Sequence, residues 1–352
     1  KARYLSKLVK AEIFPAYALT EPHAGSDALG ARTRADVAAD GSHYILNGQK
    51  MWITNGGFAD LFTVFAKVGG EQFTAFLVER SWAGVSSGAE EAKMGLKGSS
   101  TTAVFFDNVK VPTENLIGEI GRGHLNAFNV LNVGRLVLGA MAGAEAREAF
   151  QHSLDYAKSR IAFGKPIAQF GLIAQKLAAM SARMYVSESM LWRVIGMIEE
   201  RLAGFQWSQP DARKVWMKAV EEYAAECSLV KIFASEMLDF VVDEGVQIHG
   251  GYGYHQEYAI ERAYRDSRIN RIFEGTNEIN RLVATGMLLK RAQRGELPLP
   301  AAVKALDTRP SSDPIENAKK IALLLLGAAY KAFGGAIDQQ QEVVAGISDV
   351  LM

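Results

Sequence analysis

One carboxylate in the C-terminal third of the chain is placed to act as a base. The segment Arg-Ile-Phe-Glu-Gly-Thr-Asn, residues 271–277, puts Glu274 after an apolar pair and before a predicted helix start. A carboxylate flanked by apolar residues is poorly solvated, which raises its proton affinity and suits it to proton abstraction. The alternative is a surface acid just before a helix. Thr276 or Asn277 can cap that helix, whose positive end favours a carbonyl or phosphate oxygen.

Two segments nearer the N-terminus could contact a cofactor. In residues 17–27, Tyr-Ala-Leu-Thr-Glu-Pro-His-Ala-Gly-Ser-Asp, proline keeps Glu21 out of helical geometry and the Gly-Ser-Asp turn exposes backbone N–H groups and a hydroxyl. These groups suit a phosphate or the polar edge of a flavin; the alternative is a plain turn between strands. Trp52 and Thr54 alternate along a predicted strand and so share one face. The alternative for this pair is a core indole beside an edge hydroxyl.

Helix ends supply the remaining candidates. Arg160 and Lys165 follow a predicted helix, where cations favour the negative helix end, so a solvated arginine is the plain interpretation. The segment 247–251, Gln-Ile-His-Gly-Gly, offers bare backbone amides to a phosphate or ribose, although a Gly-rich turn alone is a weak signal. None of the six histidines has the spacing of a metal site, and no Ser-His-Asp or Cys-His arrangement is indicated.

Composition narrows the class of protein. A chain of 352 residues, 49% hydrophobic, can bury a large core and suggests two or three domains. Lys plus Arg equals Asp plus Glu at 39 each, so nothing points to nucleic acid. The single cysteine, Cys227, excludes a disulfide framework and suits a reducing compartment. No apolar run reaches the ~20 residues of a membrane span, and residues 321–333 are predicted to form a buried helix.

The elements that must position these residues change type along the chain. From residue 15 to about 118, short β-rich segments at 61–68, 74–78 and 102–111 are separated by turns, and Pro112 closes the last. Asn47-Gly48 predicts a hairpin turn between two strands. From Gly118, apolar spacing near 3.6 predicts helices over 124–158, 171–203, 209–244 and 277–293. Residues 298–314 then read as a linker, followed by helices over 316–333 and 338–351.

The three motifs around Thr20, Trp52 and Glu274 together resemble the acyl-CoA dehydrogenase family, over about residues 15–291. The resemblance implies an α+β multidomain fold: a small antiparallel β-barrel or sandwich followed by an antiparallel four-helix bundle, lacking most of the N-terminal helical domain. The expected boundaries are 1–14 for a remnant of that domain, 15–118 for the β domain, 119–297 for the bundle and 298–352 for a linker and C-terminal extension. We therefore expect a fragment, with Met352 inside an unfinished helix.

The resemblance also assigns roles to residues. Glu274 is the expected catalytic base, and no metal is expected. The positions that match FAD contacts are Tyr17, Leu19, Thr20, Ser26, Trp52, Thr54, Arg160, Phe163, Gln247, Gly250, Gly251, Thr276 and Glu278. The positions that match substrate contacts are Ser26, Asn132, Arg135, Phe273 and Gly275. Some relatives place their glutamate immediately before the arginine matched by Arg135; that position is Gly134 here, so Glu274 has no competitor.

The implied reaction forms a trans-2-enoyl-CoA from an acyl-CoA in fatty acid β-oxidation, with electrons passing to an electron-transfer flavoprotein. Segments 131–135 and 170–173 and the C-terminal extension resemble the very-long-chain branch, which favours a long acyl chain. FAD is expected between the two domains, with Arg160, Gln247, Gly250 and Gly251 serving the neighbouring subunit of a homodimer or dimer of dimers. We expect a bacterial cytoplasmic location, or the mitochondrial matrix in a eukaryote, and membrane association only through the extension. The alternatives are an acyl-CoA oxidase and a non-catalytic scaffold descended from a dehydrogenase.

Overall fold

The computed structural model describes residues 3–352 and divides the chain into two compact units, Lys1–Val130 and Leu131–Met352. Each unit has its own hydrophobic core. Residues 1–14 were expected to be a helical remnant, but the described part of this segment is helical only over Leu5–Val9, here called α1; Lys1 and Ala2 lie outside the described residues.

The described part of the first unit contains one eight-stranded sheet. Its strands are β1 Pro15–Ala18, β2 Arg34–Val37, β3 His43–Thr54, β4 Leu61–Val68, β5 Gln72–Glu79, β6 Val85–Glu90, β7 Thr101–Pro112 and β8 Leu116–Ile117. They lie in the order β6-β7-β3-β2-β4-β5-β8, and β1 pairs with β4. The predicted strands at 61–68, 74–78 and 102–111 correspond to β4, β5 and β7.

The expectation of a purely antiparallel sheet is wrong at β4, which runs parallel to both β1 and β2. Parallel neighbours need a long connection, and here intervening strands supply it. Successive side chains of a strand point to opposite faces. In β4, side chains on both faces are buried. Phe62 and Val64 pack with β3 and β7 in one cluster, whereas Phe65 packs with Phe73 and Tyr17 in another.

The predicted hairpin at Asn47-Gly48 is wrong, because β3 continues through both residues. Opposite them, β7 carries a β-bulge: Leu46 pairs with Val109, whereas Gly48 pairs with Phe106. Glycine is needed here for close approach rather than for a turn. A Cβ on Gly48 would lie 2.5 Å from Oγ1 of Thr33.

The helices of the chain begin and end as follows after α1: α2 Gly123–Ser159, α3 Gly171–Arg201, α4 Ala212–Glu222, α5 Ala224–His249, α6 Ala259–Ser267, α7 Asn277–Gln293, α8 Leu299–Lys304, α9 Pro314–Phe333 and α10 Gln341–Leu351. Two-residue strands β9 Ile161–Ala162 and β10 Lys165–Pro166 form a small hairpin after α2. The single helix predicted over 209–244 is wrong. It is two helices that meet at Tyr223, where ψ is 24°, and no glycine or proline marks the break.

Helix α5 is the centre of the second unit and is buried on nearly every side. It packs against α3, α6 and α7. Its side chains Met237, Leu238 and Val241 share a core with Leu138 of α2 and Met180 of α3. This central position lets polar residues of α5 reach the residues that precede α7.

Helix α9 departs from the buried helix predicted at 321–333. Leu326 and Ala329 are buried against α7 and α10, whereas Ile321, Leu324 and Leu325 are more than 40% exposed. The short helices around it cover only one of its faces. By length and apolar composition alone, α2 and the segment Pro314–Gln339 could cross a membrane, a criterion that core helices of soluble proteins also meet.

Candidate active site

Glu274 lies in a tight turn immediately before α7. Its φ is +57° and that of Gly275 is +78°, so two successive residues are left-handed. This conformation costs a non-glycine residue roughly 1–2 kcal/mol, so neighbouring contacts must hold it. Of the two predicted caps, Thr276 and Asn277, it is Thr276 that caps α7, because its Oγ1 accepts a hydrogen bond from the N–H of Ile279 at 3.2 Å.

Side chains from three helices hold the carbonyl groups of this turn. Arg135 on α2 donates from Nε to the Glu274 carbonyl at 3.2 Å. Lys231 on α5 donates to the Gly275 carbonyl at 2.9 Å, and Asn280 on α7 donates to the same oxygen at 2.7 Å. The position of Glu274 is therefore set by the backbone, which leaves its carboxylate unengaged by these donors.

The carboxylate of Glu274 has the environment of a base. Burial raises its pKa, and the nearby positive charges of Arg135 and Lys231 oppose that shift without cancelling it. Its Oε2 is buried and has no hydrogen-bond partner among the described residues. The sequence argument credited Ile272 and Phe273 with the desolvation, but both are at least 40% exposed, so the carboxylate is buried by other neighbours.

One of those neighbours is Gly134 on α2. A Cβ built there would lie 2.6 Å from Oε2 of Glu274 and 3.0 Å from its Cδ. Position 134, where some relatives were expected to carry their glutamate, is thus next to the carboxylate of Glu274, the predicted base. Glycine leaves the space that Glu274 occupies.

The predicted substrate contacts Asn132 and Arg135 are buried and bonded to each other. Arg135 donates from Nη1 to Oδ1 of Asn132 at 3.0 Å and to Oγ of Ser228 at 3.3 Å. The structure therefore places both beside the turn at Glu274-Gly275, here called the base turn, and their contact with CoA stays a prediction. Phe273, another predicted substrate contact, is 40% exposed, and Gly275 adjoins the base.

A second group of predicted residues meets at the end of α5. A cavity of about 490 Å³ is lined by Tyr156, Arg160, Ile167, Ile248, His249, Gly250, Gly251, Tyr252 and His255. Gly250 has φ of +61°, and a Cβ on either glycine would meet nothing within 4 Å, so the backbone faces open space. Arg160 supplies a positive charge at this cavity and lies over the Tyr252 ring at 5.6 Å. Such a cavity suits an anionic diphosphate.

Two other predicted contacts lie outside the lining of this cavity. Gln247 is exposed in the last turn of α5, and Phe163 is 95% exposed with φ of +51°. The sequence reasoning missed Tyr156, whose ring stacks on His249 at 4.3 Å. A signal was present, because Tyr156 precedes Arg160 by one helical turn and so shares its face.

In the first unit, a buried ion pair joins the two predicted flavin segments. The Nζ of Lys50 lies 2.7 Å from Oε1 of Glu21 and donates to the Leu19 carbonyl at 3.0 Å. Burial lowers the pKa of Lys50 to about 8, although Glu21 opposes the shift. The N–H of Met51 also donates to the Thr20 carbonyl at 2.9 Å. Lys50 was missed because its partner is 29 residues away.

The side chains that these contacts position point outward. Trp52 is 60% exposed, Thr54 is exposed, and Ile53 between them is buried, as the predicted alternation requires. Trp52 has φ of +56° and lies in a bulge of β3, between the pairs Lys50–Val104 and Ile53–Thr102. Ser26 is exposed in the predicted turn.

Comparison with known protein families identifies the family of this chain. Residues 16–109 match the acyl-CoA dehydrogenase middle domain, and residues 121–288 match the acyl-CoA dehydrogenase C-terminal domain. The chain belongs to the acyl-CoA dehydrogenase family. The resemblance drawn from the three motifs is confirmed.

Individual relatives show how much of the chain the similarity covers. A probable acyl-CoA dehydrogenase of Bacillus subtilis is 49% identical over 367 residues, which cover 100% of this chain and 62% of the relative. The very long-chain specific mitochondrial enzyme of Macaca fascicularis is 44% identical, over 80% of this chain and 42% of the relative. The CarC subunit of the caffeyl-CoA reductase-Etf complex of Acetobacterium woodii is 36% identical, over 82% of this chain and 72% of the subunit.

The solved structures that share the fold include two acyl-CoA dehydrogenases. An acyl-CoA dehydrogenase from Bacillus anthracis, complexed with FAD, superposes with a TM-score of 0.96 at 50% identity. It is covered over 62% of its length by 99% of this chain. Butyryl-CoA dehydrogenase from Megasphaera elsdenii gives a TM-score of 0.73 at 37% identity, with 82% of this chain and 71% of that one covered. The chain thus spans about three fifths of the B. subtilis and B. anthracis relatives.

Proposed function

We propose that this chain carries the catalytic base and the FAD contacts of an acyl-CoA dehydrogenase that converts an acyl-CoA to a trans-2-enoyl-CoA. The observation that carries the proposal is Glu274, a carboxylate with a raised pKa and an unpartnered buried oxygen. The side chains of Arg135, Lys231 and Asn280 hold its turn by donating hydrogen bonds to the backbone carbonyls of Glu274 and Gly275. The carboxylate is therefore held in place without an ion pair that would block its oxygens.

Glu274 removes the α-proton of the thioester, and the proton ends on its carboxylate. Burial favours the neutral acid that results, so the site assists the transfer. Negative charge develops on the thioester carbonyl as the α-proton leaves, and hydrogen bonds there, which we expect to include the Glu274 N–H, stabilise it. FAD, when bound, supplies the acceptor for the hydride that leaves the β-carbon.

The residues present suit FAD in two places. Around Arg160, an open Gly250-Gly251 backbone and a positive charge fit a diphosphate. In the first unit, exposed Trp52 and Thr54 follow a segment fixed by a buried ion pair, which fits a flat ring with polar edges. This chemistry supports the expected contacts with the flavin and with the FAD of a neighbouring subunit.

Thr276 caps α7 and Glu278 lies in its first turn, where the family resemblance assigns contacts near the adenosine diphosphate. Backbone and Thr276 hydrogen bonds lower the pKa of Glu278, so it stays charged. A carboxylate repels phosphate but accepts hydrogen bonds from ribose hydroxyls. We therefore assign Glu278 to a ribose contact rather than a diphosphate contact.

The finer assignments rest on relatives. Similarity to the very long-chain enzyme supports a long acyl chain and a role in β-oxidation. Similarity to a subunit of an Etf complex supports transfer of electrons to an electron-transfer flavoprotein. Both assignments extend the proposed reaction without altering the role of Glu274.

The test is the visible spectrum of the purified full-length protein before and after anaerobic addition of palmitoyl-CoA. We expect a flavin spectrum that bleaches on addition. Slow recovery of the band in air, and fast recovery with an electron-transfer flavoprotein, would separate a dehydrogenase from an oxidase. Bound flavin that palmitoyl-CoA and shorter acyl-CoAs all fail to bleach would contradict the proposal and favour a non-catalytic scaffold.

A further inference from the structure

Lys231 is a fully buried cation that holds the turn at Glu274-Gly275, and its charge has no part in the proposed reaction as stated so far. Its side chain is 0% exposed on α5. The Nζ lies 2.9 Å from the Gly275 carbonyl and 2.7 Å from Oδ1 of Asn277. Burying an ammonium group costs several kcal/mol unless its hydrogen bonds are well made. The presence of a buried lysine at this position therefore calls for an explanation.

The acceptor Asn277 is itself held in place. Its Nδ2 donates to Oγ of Ser235 and to Oε1 of Glu236, each at 3.0 Å. These bonds orient its Oδ1 toward Lys231. The ammonium is thus fixed between a side-chain oxygen from the start of α7 and a carbonyl of the base turn, and it ties α5 to both.

The two cations near Glu274 bind backbone oxygens rather than its carboxylate. Arg135 donates to the carbonyl of residue 274 and Lys231 to that of residue 275. Among the ion pairs of the described residues, none joins either cation to the Glu274 carboxylate within 4.0 Å. The carboxylate therefore keeps its lone pairs for a proton while two positive charges remain close.

We propose that Lys231 is a positioning residue for the catalytic base: it holds the left-handed turn at Glu274-Gly275 and keeps the carboxylate ionised by its positive charge. This inference rests on the proposed function, because it assigns Lys231 to the base of that reaction. A neutral donor would supply the hydrogen bond but not the charge. The two parts of the role are therefore separable by substitution.

The electrostatic part has a defined direction. Burial raises the pKa of Glu274, and Arg135 and Lys231 both lower it. Burial lowers the pKa of Lys231 to about 8, and Arg135 acts in the same direction, whereas the carboxylates of Glu274, Glu278 and Glu236 favour its charged form. Removing the ammonium leaves Arg135 alone against burial, so the carboxyl should ionise at a higher pH.

The test uses the full-length holoenzyme with Lys231→Met and Lys231→Gln. Methionine removes the donor and the charge at similar length, whereas glutamine keeps a neutral donor. Lys176→Met is the matched control, since Lys176 on α3 pairs with Glu244 of α5, away from the base turn. FAD content and near-UV circular dichroism report whether each variant is folded and loaded.

Proton abstraction is isolated with an acyl-CoA that carries sulfur in place of the β-carbon. Its α-proton remains acidic, but no β-hydrogen can leave as hydride, so only the enolate forms. An enolate lying against oxidised flavin gives long-wavelength absorption, and its growth with pH reports ionisation of the base. Anaerobic bleaching by palmitoyl-CoA measures the complete reduction.

We expect Lys231→Met to bleach roughly 10- to 100-fold more slowly with acyl-CoA affinity and FAD content preserved, because a small misplacement of a catalytic group has effects of this size. Its enolate absorption should develop at higher pH than in the wild type. Lys231→Gln should recover part of the rate but keep the pH shift. Lys176→Met should match the wild type in both.

Several results would overturn the inference. Lys231→Met could bleach at the wild-type rate with an unshifted pH profile. It could instead lose FAD in proportion to rate, which would make Lys231 structural. If the methionine variant does not fold, an unshifted pH profile in Lys231→Gln decides against the proposal. If the wild type neither bleaches nor forms the enolate band, the proposed function fails, and this inference fails with it.

Discussion

Replacing Glu274 with glutamine tests the base directly in the full-length protein. The substitution keeps nearly the same volume, which matters because the side chain lies against Gly134, where a Cβ would be 2.6 Å from Oε2. It removes the lone pair that accepts the proton. The backbone contacts from Arg135, Lys231 and Asn280 do not involve the carboxylate and should survive.

The magnitude follows from what is lost in each state. Substrate binding needs the shape of the site, which is retained, so acyl-CoA affinity should stay within a few-fold of the wild type. The transition state for α-proton removal needs the carboxylate, and an amide cannot replace it. We expect a loss of ~10³ or more in the reduction rate, which corresponds to about 4 kcal/mol of barrier.

The assay is anaerobic stopped-flow bleaching of the flavin by palmitoyl-CoA, with affinity measured separately from the perturbed flavin spectrum. Aspartate at the same position is a useful second variant, since it keeps the carboxylate but shortens its reach. It should retain more activity than glutamine. Bleaching of Glu274→Gln at the wild-type rate would show that the base lies elsewhere and that the site assignment is wrong.

Four further outcomes are expected. Gly134→Ala should slow bleaching roughly 10- to 100-fold with normal FAD content, because its Cβ displaces the Glu274 carboxylate; an unchanged rate would show that the carboxylate has room to move. The wild-type bleaching rate should rise with pH through the raised pKa of Glu274, since only the ionised form accepts a proton; a flat profile would exclude it as the base. Arg160→Glu should weaken FAD retention by opposing the diphosphate, whereas Lys158→Glu in the last turn of α2 should not, as absorbance after gel filtration will show. Lys50→Met should cost ~3–5 kcal/mol in urea unfolding because it strands a buried carboxylate, and an unmoved midpoint would contradict this.

The sequence predicted elements whose signals are local. Enrichment in β-branched and aromatic residues located β4, β5 and β7, and the helical period located α2, α3 and α7. It failed where a local signal had two meanings. Asn47-Gly48 is compatible with a tight turn, but in the structure Gly48 admits the close approach of Thr33 within a continuous strand. The break at Tyr223 has no glycine or proline to announce it.

The residues of the candidate site likewise divide into those that the local sequence predicted and those that it did not. Glu274, Thr276 and the Gly250-Gly251 turn were predicted because their neighbours in sequence suggest their chemistry. The contacts that hold the base were not predicted, since they come from residues distant in the chain. Lys231 reaches Gly275 across 44 positions, and Arg135 reaches Glu274 across 139. A lysine within a helix of otherwise apolar spacing was the one available sign of a buried cation.

The residues that hold Glu274 come from distant parts of the chain, and this has a physical cause that bears on its proposed role as a base. A non-glycine residue with φ of +57° persists only where surrounding contacts over-determine its conformation. Here those contacts are made to backbone carbonyls, so they leave the carboxylate without an ion pair. Arg135 and Lys231 meet both requirements, each binding a carbonyl while lending positive charge to the carboxylate nearby. A direct ion pair would occupy the lone pair that must take the proton. The turn at Glu274-Gly275 therefore depends on cations that bind backbone carbonyls rather than the carboxylate. These cations lie on helices that the local sequence around Glu274 does not reveal.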